Sequence, residues 1–337
     1  MNQESISPRR GYKSKTITKI LTGKFLSWSK SIDDEPTRKL VEKNTIITGG
    51  AIASMLMGEK VNDFDIYFKD AETALAVAEY YVKKLKANPP VAFAAYKDKI
   101  LATMEEATEV HPARVKILFG QRALRGESIV KSHEDAEFAA GQVTDDTEPG
   151  ATYEENTEAL DDIDARKVTQ DADEKKRGKY RVMFITANAI TLSDSIQIVL
   201  RFFGDAATIH KNFDYMHCLS YWTSNDRQLV VNPESALCCL SKELKYQGSL
   251  FPLASVIRGR KFITRGWTIN AGQYLKMLFQ VSKLDLTDAT VLEEQLVGVD
   301  SAYFSHVIAK LREQVDAKGN PVPVDEGHLV SIIDKIF

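Results

Sequence analysis

The stretch Thr48–Phe68, TGGAIASMLMGEKVNDFDIYF, decides how this chain is read. Just before it, Asn44–Thr48 (NTIIT) is a short β-branched run, the composition of a buried strand, and Gly49–Gly50 ends it in a tight turn. Ala51–Met57 (AIASMLM) holds good helix formers and no breaker until Gly58, so a short helix is expected. Asp63–Phe68 (DFDIYF) then reads as a strand. Side chains alternate across a strand, so Asp63, Asp65 and Tyr67 share one face while Phe64, Ile66 and Phe68 share the other. Strand, glycine turn, helix and acidic strand begin an α/β layer.

Working outward, Asp70 is an N-cap candidate for a helix to Lys86, whose last turn carries Lys83, Lys84 and Lys86, where cations suit the helix dipole. Upstream, residues 1–43 mix Lys, Arg, Ser and Thr with a few aromatics and read as a basic arm or first short helix. Downstream, Ala92–Tyr96 and Arg114–Phe119 (RVKILF) are strand candidates. Tyr180–Leu192 and Ser195–Phe203 are β-rich runs either side of Ser193–Asp194, the pattern of a hairpin. In the second run Gln197, Val199 and Arg201 share one face, opposite Ile196, Ile198, Leu200 and Phe202. Tyr215–Trp222 is one more strand candidate. Beyond it Pro233–Tyr246, Pro252–Arg265, Ala271–Val281, Val291–Val297, Ala302–Val315 and Gly327–Phe337 read as helices, several opening on a cap or proline such as Asn232-Pro233.

Between Glu127 and Lys179 periodicity fades, and sixteen acidic residues face seven basic ones with few large apolar side chains. That is a solvated composition, read as an irregular acidic insertion. The expected plan is therefore an N-terminal arm or helix (1–43), a mixed α/β core in two parts (44–126 and 180–231) split by the insertion (127–179), and an all-helical C-terminal domain (232–337). The fold class is α/β (α+β), a short mixed sheet with flanking helices.

Bulk properties narrow the function. The chain has 337 residues, 44% apolar and 27% charged, the balance of a globular protein, with a net charge of −3. No apolar run reaches the length of a membrane span, and the N-terminus lacks the apolar stretch of a secretory signal. Three cysteines, Cys218, Cys238 and Cys239, make no disulfide framework and suit a reducing compartment, so the cytoplasm is expected, that of a host if the protein is viral. Without the acidic insertion the remainder is mildly basic, which permits a polyanionic partner.

The chemistry suggested by Gly49, Gly50, Asp63 and Asp65 is phosphoryl chemistry. Two carboxylates at i and i+2 on one strand point the same way, with α-carbons about 6.5–7 Å apart, and can share hard divalent cations. A glycine pair opening a helix lets backbone N–H groups approach a phosphate without side-chain obstruction. Ser54, one turn on, reads either as a phosphate contact or as a small helix-packing residue. Arg258, Arg260, Lys261 and Arg265, with Trp267, lie on or beside one helix and read either as a solvated face or as contacts to a triphosphate or nucleic-acid backbone, with Lys242 and Lys245 as possible extensions of the patch. Of that run Arg258 and Lys261 are the nucleotide-binding candidates. His210, His217 and the cysteines lack zinc-ligand spacing and are expected to be packed residues.

Gly-Gly, twelve intervening residues, then Asp-x-Asp between apolar residues resembles the signature of the polymerase-β-like nucleotidyltransferase superfamily, which includes poly(A) polymerases and CCA-adding enzymes. A looser resemblance, over IQIVLRFFGDAATIHKNFDYMHCLSYW and SLFPLASVIRGRKFITRGWTI, is to nucleotidyltransferase-like proteins of tailed phages and large DNA viruses. The superfamily resemblance implies transfer of a nucleoside monophosphate from an NTP to an acceptor hydroxyl, with Mg²⁺ or Mn²⁺ on Asp63 and Asp65. It also implies a third carboxylate from a later strand, for which Asp214 is the candidate and Asp205 the runner-up. No acid lies in the body of Ser195–Phe203, where one is often expected, and Asp214 could instead shape the base pocket. An RNA 3′ end is the slightly favoured acceptor, with another nucleic acid, a protein or a small molecule open. The rival readings are an inactive binding or structural protein with this fold, and an antitoxin-like partner of another protein.

Overall fold

The computed structural model describes residues 11–87, 97–108, 112–118 and 179–296, with single positions at 327 and 330. The strand expected at Ala92–Tyr96, nearly all of the acidic insertion, and the helices expected at Ala302–Val315 and Gly327–Phe337 lie outside these residues or almost wholly so.

Two helices, α1 (Ser14–Ser29) and α2 (Glu35–Asn44), precede the sheet. In α1 the buried Ile17, Leu21, Phe25 and Trp28 recur at helical spacing, and the indole N–H of Trp28 donates to the Tyr81 hydroxyl at 2.8 Å. Both helices are thus tied into the core. There follow β1 (Thr45–Thr48), α3 (Gly50–Met57), β2 (Phe64–Phe68) and α4 (Ala71–Ala87), close to the expected bounds. α3 stops where Gly58 turns left-handed at φ 69°, and Asp70 caps α4 by accepting from the Thr73 N–H at 2.8 Å.

β3 (Leu101–Glu105) and β4 (Arg114–Leu118) form a separate antiparallel pair. The run Tyr180–Leu192, expected as one strand, is two: β5 (Val182–Ile185) and β6 (Ala189–Leu192). The Thr186 hydroxyl accepts from the N–H groups of Asn188 and Ala189, at 3.2 and 3.0 Å, and so closes a turn that hydrophobic pattern does not signal. β7 (Ile196–Phe203) then pairs back on β6 through Asp194 and Ser195, both at positive φ. With β8 (Tyr221–Thr223) and β9 (Leu229–Val230), the main sheet runs β5-β6-β7-β2-β1-β8-β9. It is mixed, as expected: β2 is parallel to β7 and antiparallel to β1.

Two local corrections concern the strands. Phe202 does not stay with Ile196, Ile198 and Leu200. The β2–β7 register shifts after Ile66↔Ile198, so that Phe68 meets Phe203. This irregularity sends Phe202 to the other side, beside Val199 and Tyr67, while Phe203 joins the main core. In Tyr215–Trp222 a 3-10 turn at Met216–Cys218 replaces the start of the expected strand. The Ser235 side chain holds that turn, donating to the Met216 carbonyl at 2.5 Å and accepting from the Leu219 N–H at 3.2 Å.

The remaining elements are α5 (Ala206–His210), α6 (Pro233–Ser241), β10 (Glu243–Leu244), α7 (Pro252–Thr264), β11 (Thr268–Ile269), α8 (Ala271–Val281) and α9 (Ala289–Leu296). α6 is shorter than its expected range, because Lys242 turns left-handed at φ 50° and the chain enters a two-residue parallel ladder, β10 on β11. The large core gathers α1, α4 and the apolar face of the sheet, including Phe64, Ile66 and Phe68. A small cluster of Ile46, Tyr67, Ala206 and Ile209 lies on the other face. A third, with Ala53, Tyr215, Tyr246, Trp267 and Met277, joins α3 to the C-terminal helices.

Candidate active site

The antiparallel register of β1 and β2 sets Thr48 directly opposite Asp65, so the chain leaves β1 beside that carboxylate. Gly49 makes the exit at φ 96° and ψ −149°, a conformation open essentially to glycine alone. A methyl added there would lie 3.2 Å from Asp65 Oδ2 and 3.8 Å from Phe213 Cε2. Gly50 is exposed, opens α3 and has nothing within 4 Å of the equivalent position. The first N–H groups of α3 therefore begin at the acidic strand. Ser54 sits one turn into the same helix, half-buried.

Asp65 is half-buried on β2, and Asp63 is exposed just before the strand begins, where the Phe64 N–H donates to the Ser195 carbonyl at 2.9 Å. Burial, and after it the charge of Asp63, pushes the Asp65 carboxyl up to about 7. Partial desolvation by the neighbouring protein also raises Asp63, although its side chain reaches solvent. Neither acid has a hydrogen-bonding or cationic side chain on it among the described residues. Two carboxylates that repel each other without a counter-charge match the donor set a hard divalent cation takes.

Asp214 has a different environment. It follows α5 by a few residues, and Arg258 of α7 donates to its Oδ2 from Nε at 2.7 Å in a largely screened pair. Its charge and that of Asp65 are both felt at Tyr67 and Cys218, so it borders the same region. Yet among the described residues no three His, Cys, Asp or Glu side chains come together closely enough to hold a metal. Asp205 is spent on the chain itself: it caps α5, accepting from the Thr208 N–H at 2.7 Å, and that bond holds its carboxyl below the usual range.

The basic run of α7 does not present one continuous surface. Arg258 is turned to Asp214, Lys261 is half-buried, Arg260 and Arg265 are exposed, and Trp267 is buried in the third cluster. Lys242 pairs with Glu59 at 2.9 Å. Arg201, from β7, lies over the ring of Phe251 at 4.1 Å, which fastens the start of α7 to the sheet.

His210 is the site neighbour that linear spacing could not reveal, since its partner Thr48 stands 162 positions away. The Thr48 hydroxyl has the Ser220 carbonyl at 2.9 Å and His210 Nε2 at 2.8 Å. A hydroxyl has one proton. Given to the carbonyl, which can only accept, it leaves Nε2 as the N–H donor and Nδ1 as the bare acceptor. Burial lowers the imidazole to about 4, so the ring is neutral near pH 7. His217 is packed between the rings of Phe262 and Trp267, and the three cysteines are free.

Fold and site together define a mixed α/β protein whose strand-edge carboxylates meet a glycine bend at a helix start. The chain belongs to the Gabija anti-defense 2 family, whose description matches residues 19–240. No curated protein sequence matches it. Two solved structures are similar. One is the Thermotoga maritima CCA-adding enzyme complexed with tRNA, at 10% identity, covering 90% of this chain and 57% of that one, with a TM-score of 0.37. The other is the apo form of a CCA-adding enzyme, at 11% identity, covering 87% and 52%, with a TM-score of 0.39. The chain spans little more than half the length of either. Among the described residues, no helix is long and apolar enough to cross a membrane.

Proposed function

We propose that the protein is a nucleotidyltransferase that moves a nucleoside monophosphate from an NTP to an acceptor hydroxyl, and that this transfer is how it acts against Gabija, the target in its family's description. The observation that carries the reading is the close approach of the Gly49 bend to the Asp65 carboxylate, with Asp63 beside it in sequence and no cationic side chain paired with either acid among the described residues. Asp63 and Asp65 would hold Mg²⁺ or Mn²⁺, which when bound supplies positive charge against the phosphates. The N–H groups at the start of α3, bared by Gly49 and Gly50, seat phosphate oxygens. The acceptor oxygen bonds to the α-phosphorus, the bond to the β-phosphate's bridging oxygen breaks, and pyrophosphate leaves. The hydroxyl proton passes to a carboxylate base at the same strand edge. Asp214, held by Arg258, shapes the nucleotide pocket rather than completing the acid pair.

The test is incubation with each α-labelled NTP, Mg²⁺ or Mn²⁺, and mixed RNA and protein acceptors. Label should appear in one acceptor and vanish in Asp63→Asn and Asp65→Asn. Nucleotide binding without product on any acceptor would overturn the reading. It would favour instead a non-catalytic anti-defence binder, the alternative supported by Asp214 being neutralised by Arg258 and not gathered with the other acids.

A further inference from the structure

We infer that the groove between α7 and α8 is a docking site for an acidic amphipathic helix of a partner protein. The inference stands apart from the transfer reading.

α8 turns its apolar side outward. Its inward residues, Gln273, Met277 and Gln280, recur at i, i+4 and i+7, and two of the three are polar. Gln273 accepts from the Tyr246 N–H at 2.9 Å. Gln280 accepts from the Tyr246 hydroxyl and from the Ser249 N–H, the latter at 3.3 Å. Met277 is the one buried side chain of the helix. On the other side Tyr274, Leu275, Leu278 and Phe279 are 41%, 53%, 57% and 67% exposed. Hydrogen bonds and one methionine seat this helix, so its large apolar side chains are left facing water, a cost that only a covering surface removes.

The stripe continues into a concave site. At Tyr274 it meets a cavity of about 270 Å³, whose far wall is Val256, Arg260 and Ile263, exposed at i, i+4 and i+7 of α7. The buried Tyr215, Gly259 and Met277 line the same hollow. Two helices that border a hollow with exposed apolar side chains have the form of a groove that takes an amphipathic helix, with the hollow receiving one large anchor.

Charge selects the partner. Residues 244–284 hold seven basic residues and no acidic one, in a chain of net charge −3. Arg260, Arg265, Lys276 and Lys283 are exposed and have no acidic partner among the described residues. A second copy docked by the same face would bring these cations against their own equivalents. A phosphate backbone answers the cations but does not cover leucine and phenylalanine, and a flat bilayer leaves the hollow unfilled. An acidic helix with an apolar stripe satisfies the charge, the stripe and the hollow together.

The probe is a fluorescent helical peptide of about eighteen residues, with Leu, Trp and Leu at i, i+4 and i+7 and glutamate at most other positions, added to the full chain. Wild type should bind it, more weakly as salt rises. Leu275→Gln/Phe279→Gln should weaken binding by about tenfold or more, as at an apolar anchor contact, while the melting temperature holds, because both positions are exposed and glutamine is a good helix former. Arg260→Glu/Lys276→Glu should weaken the acidic peptide and favour its counterpart with lysine in place of glutamate. With photoreactive benzoylphenylalanine in place of Phe279, the cross-link should form to the peptide. Wild type that ignores the acidic peptide, or binds the lysine peptide equally well, would overturn the inference. So would a cross-link to a second copy or to residues 297–337, or binding to anionic vesicles or single-stranded RNA in place of the peptide.

Discussion

The two faces of β2 share five residues and almost nothing else. Phe64, Ile66 and Phe68 sit in the large core with α1, α4 and β7. Asp65 and Tyr67 look the other way, toward the glycine bend and the small cluster of Ile46, Ala206 and Ile209. One face is stabilised by burial and the other is destabilised by it, since desolvation and Asp63 both oppose the Asp65 charge. An unfavourable charge can persist on a strand only when the strand's position is determined elsewhere. Here the apolar face determines it, and the acidic face is left free to hold its groups in a costly arrangement.

If that division of labour is right, changes on the two faces separate cleanly. The largest effect belongs to Asp65→Asn, which conserves shape and removes charge. Nucleotide transfer should fall by more than about 100-fold, above the range seen when only the outer partners of a metal site are disturbed. The far-UV spectrum should not change. Transfer retained within a few-fold would remove the acidic face from the mechanism.

On the opposite face, Ile66→Ala should cost about 2–5 kcal/mol, the range for truncating a fully buried aliphatic residue, read from the denaturant midpoint. Any activity lost at low temperature should return in proportion to the folded fraction. Activity reduced beyond that fraction would mean that the core face contributes more than position.

Gly49→Ala tests the junction between the faces. The backbone at φ 96° and ψ −149° resists any side chain, and the new methyl would crowd Asp65 Oδ2. A loss of about 1–3 kcal/mol is expected, together with reduced transfer. Gly50→Ala, with open space around the methyl and helical geometry, should leave stability unchanged or slightly higher. Equal behaviour of the two glycines would show that the bend has no special place at the site.

The same contrast explains what was legible beforehand. Alternation in DFDIYF placed Asp65 and the phenylalanines on opposite faces because a strand with one buried side permits only one register. The strand–glycine–helix start was readable because Gly49, Gly50 and Gly58 act locally. Contacts made far along the chain were not readable. The end of the Ile196–Phe203 alternation depends on a pairing irregularity against β2, whereas the break in Tyr180–Leu192 is local but rests on a threonine side chain that hydrophobic alternation does not reveal. The Arg258–Asp214 pair and the His210–Thr48 bond join residues 44 and 162 positions apart, and no spacing rule reaches them.

The smallest effect is the most specific to the acidic face. The Asp65 carboxyl stands at about 7 in the fold against 3.8 ordinarily, so the folded state holds its proton more tightly than the unfolded chain does. Its contribution to stability is therefore fully present below about pH 4 and is lost as pH rises through 7. In EDTA, wild type should lose stability relative to Asp65→Asn across that window, by at most about 1.4 kcal/mol per pH unit and in practice on the order of 1 kcal/mol in total, because Asp65 is not fully shielded from water. His210 and His217, both lowered to about 4 by burial, act in the opposite sense, destabilising the fold as pH falls from 6.5. They are common to both proteins, so the difference between the two melting curves at pH 5, 6, 7 and 8 isolates Asp65. Adding Mg²⁺ at pH 8 should then raise the melting temperature of wild type and leave the variant where it was, since only wild type retains the repelling pair for the cation to bridge. A difference curve that is flat with pH, or an equal Mg²⁺ shift in both proteins, would mean that the two carboxylates are not the mutually repelling pair on which the contrast between the faces of β2 depends.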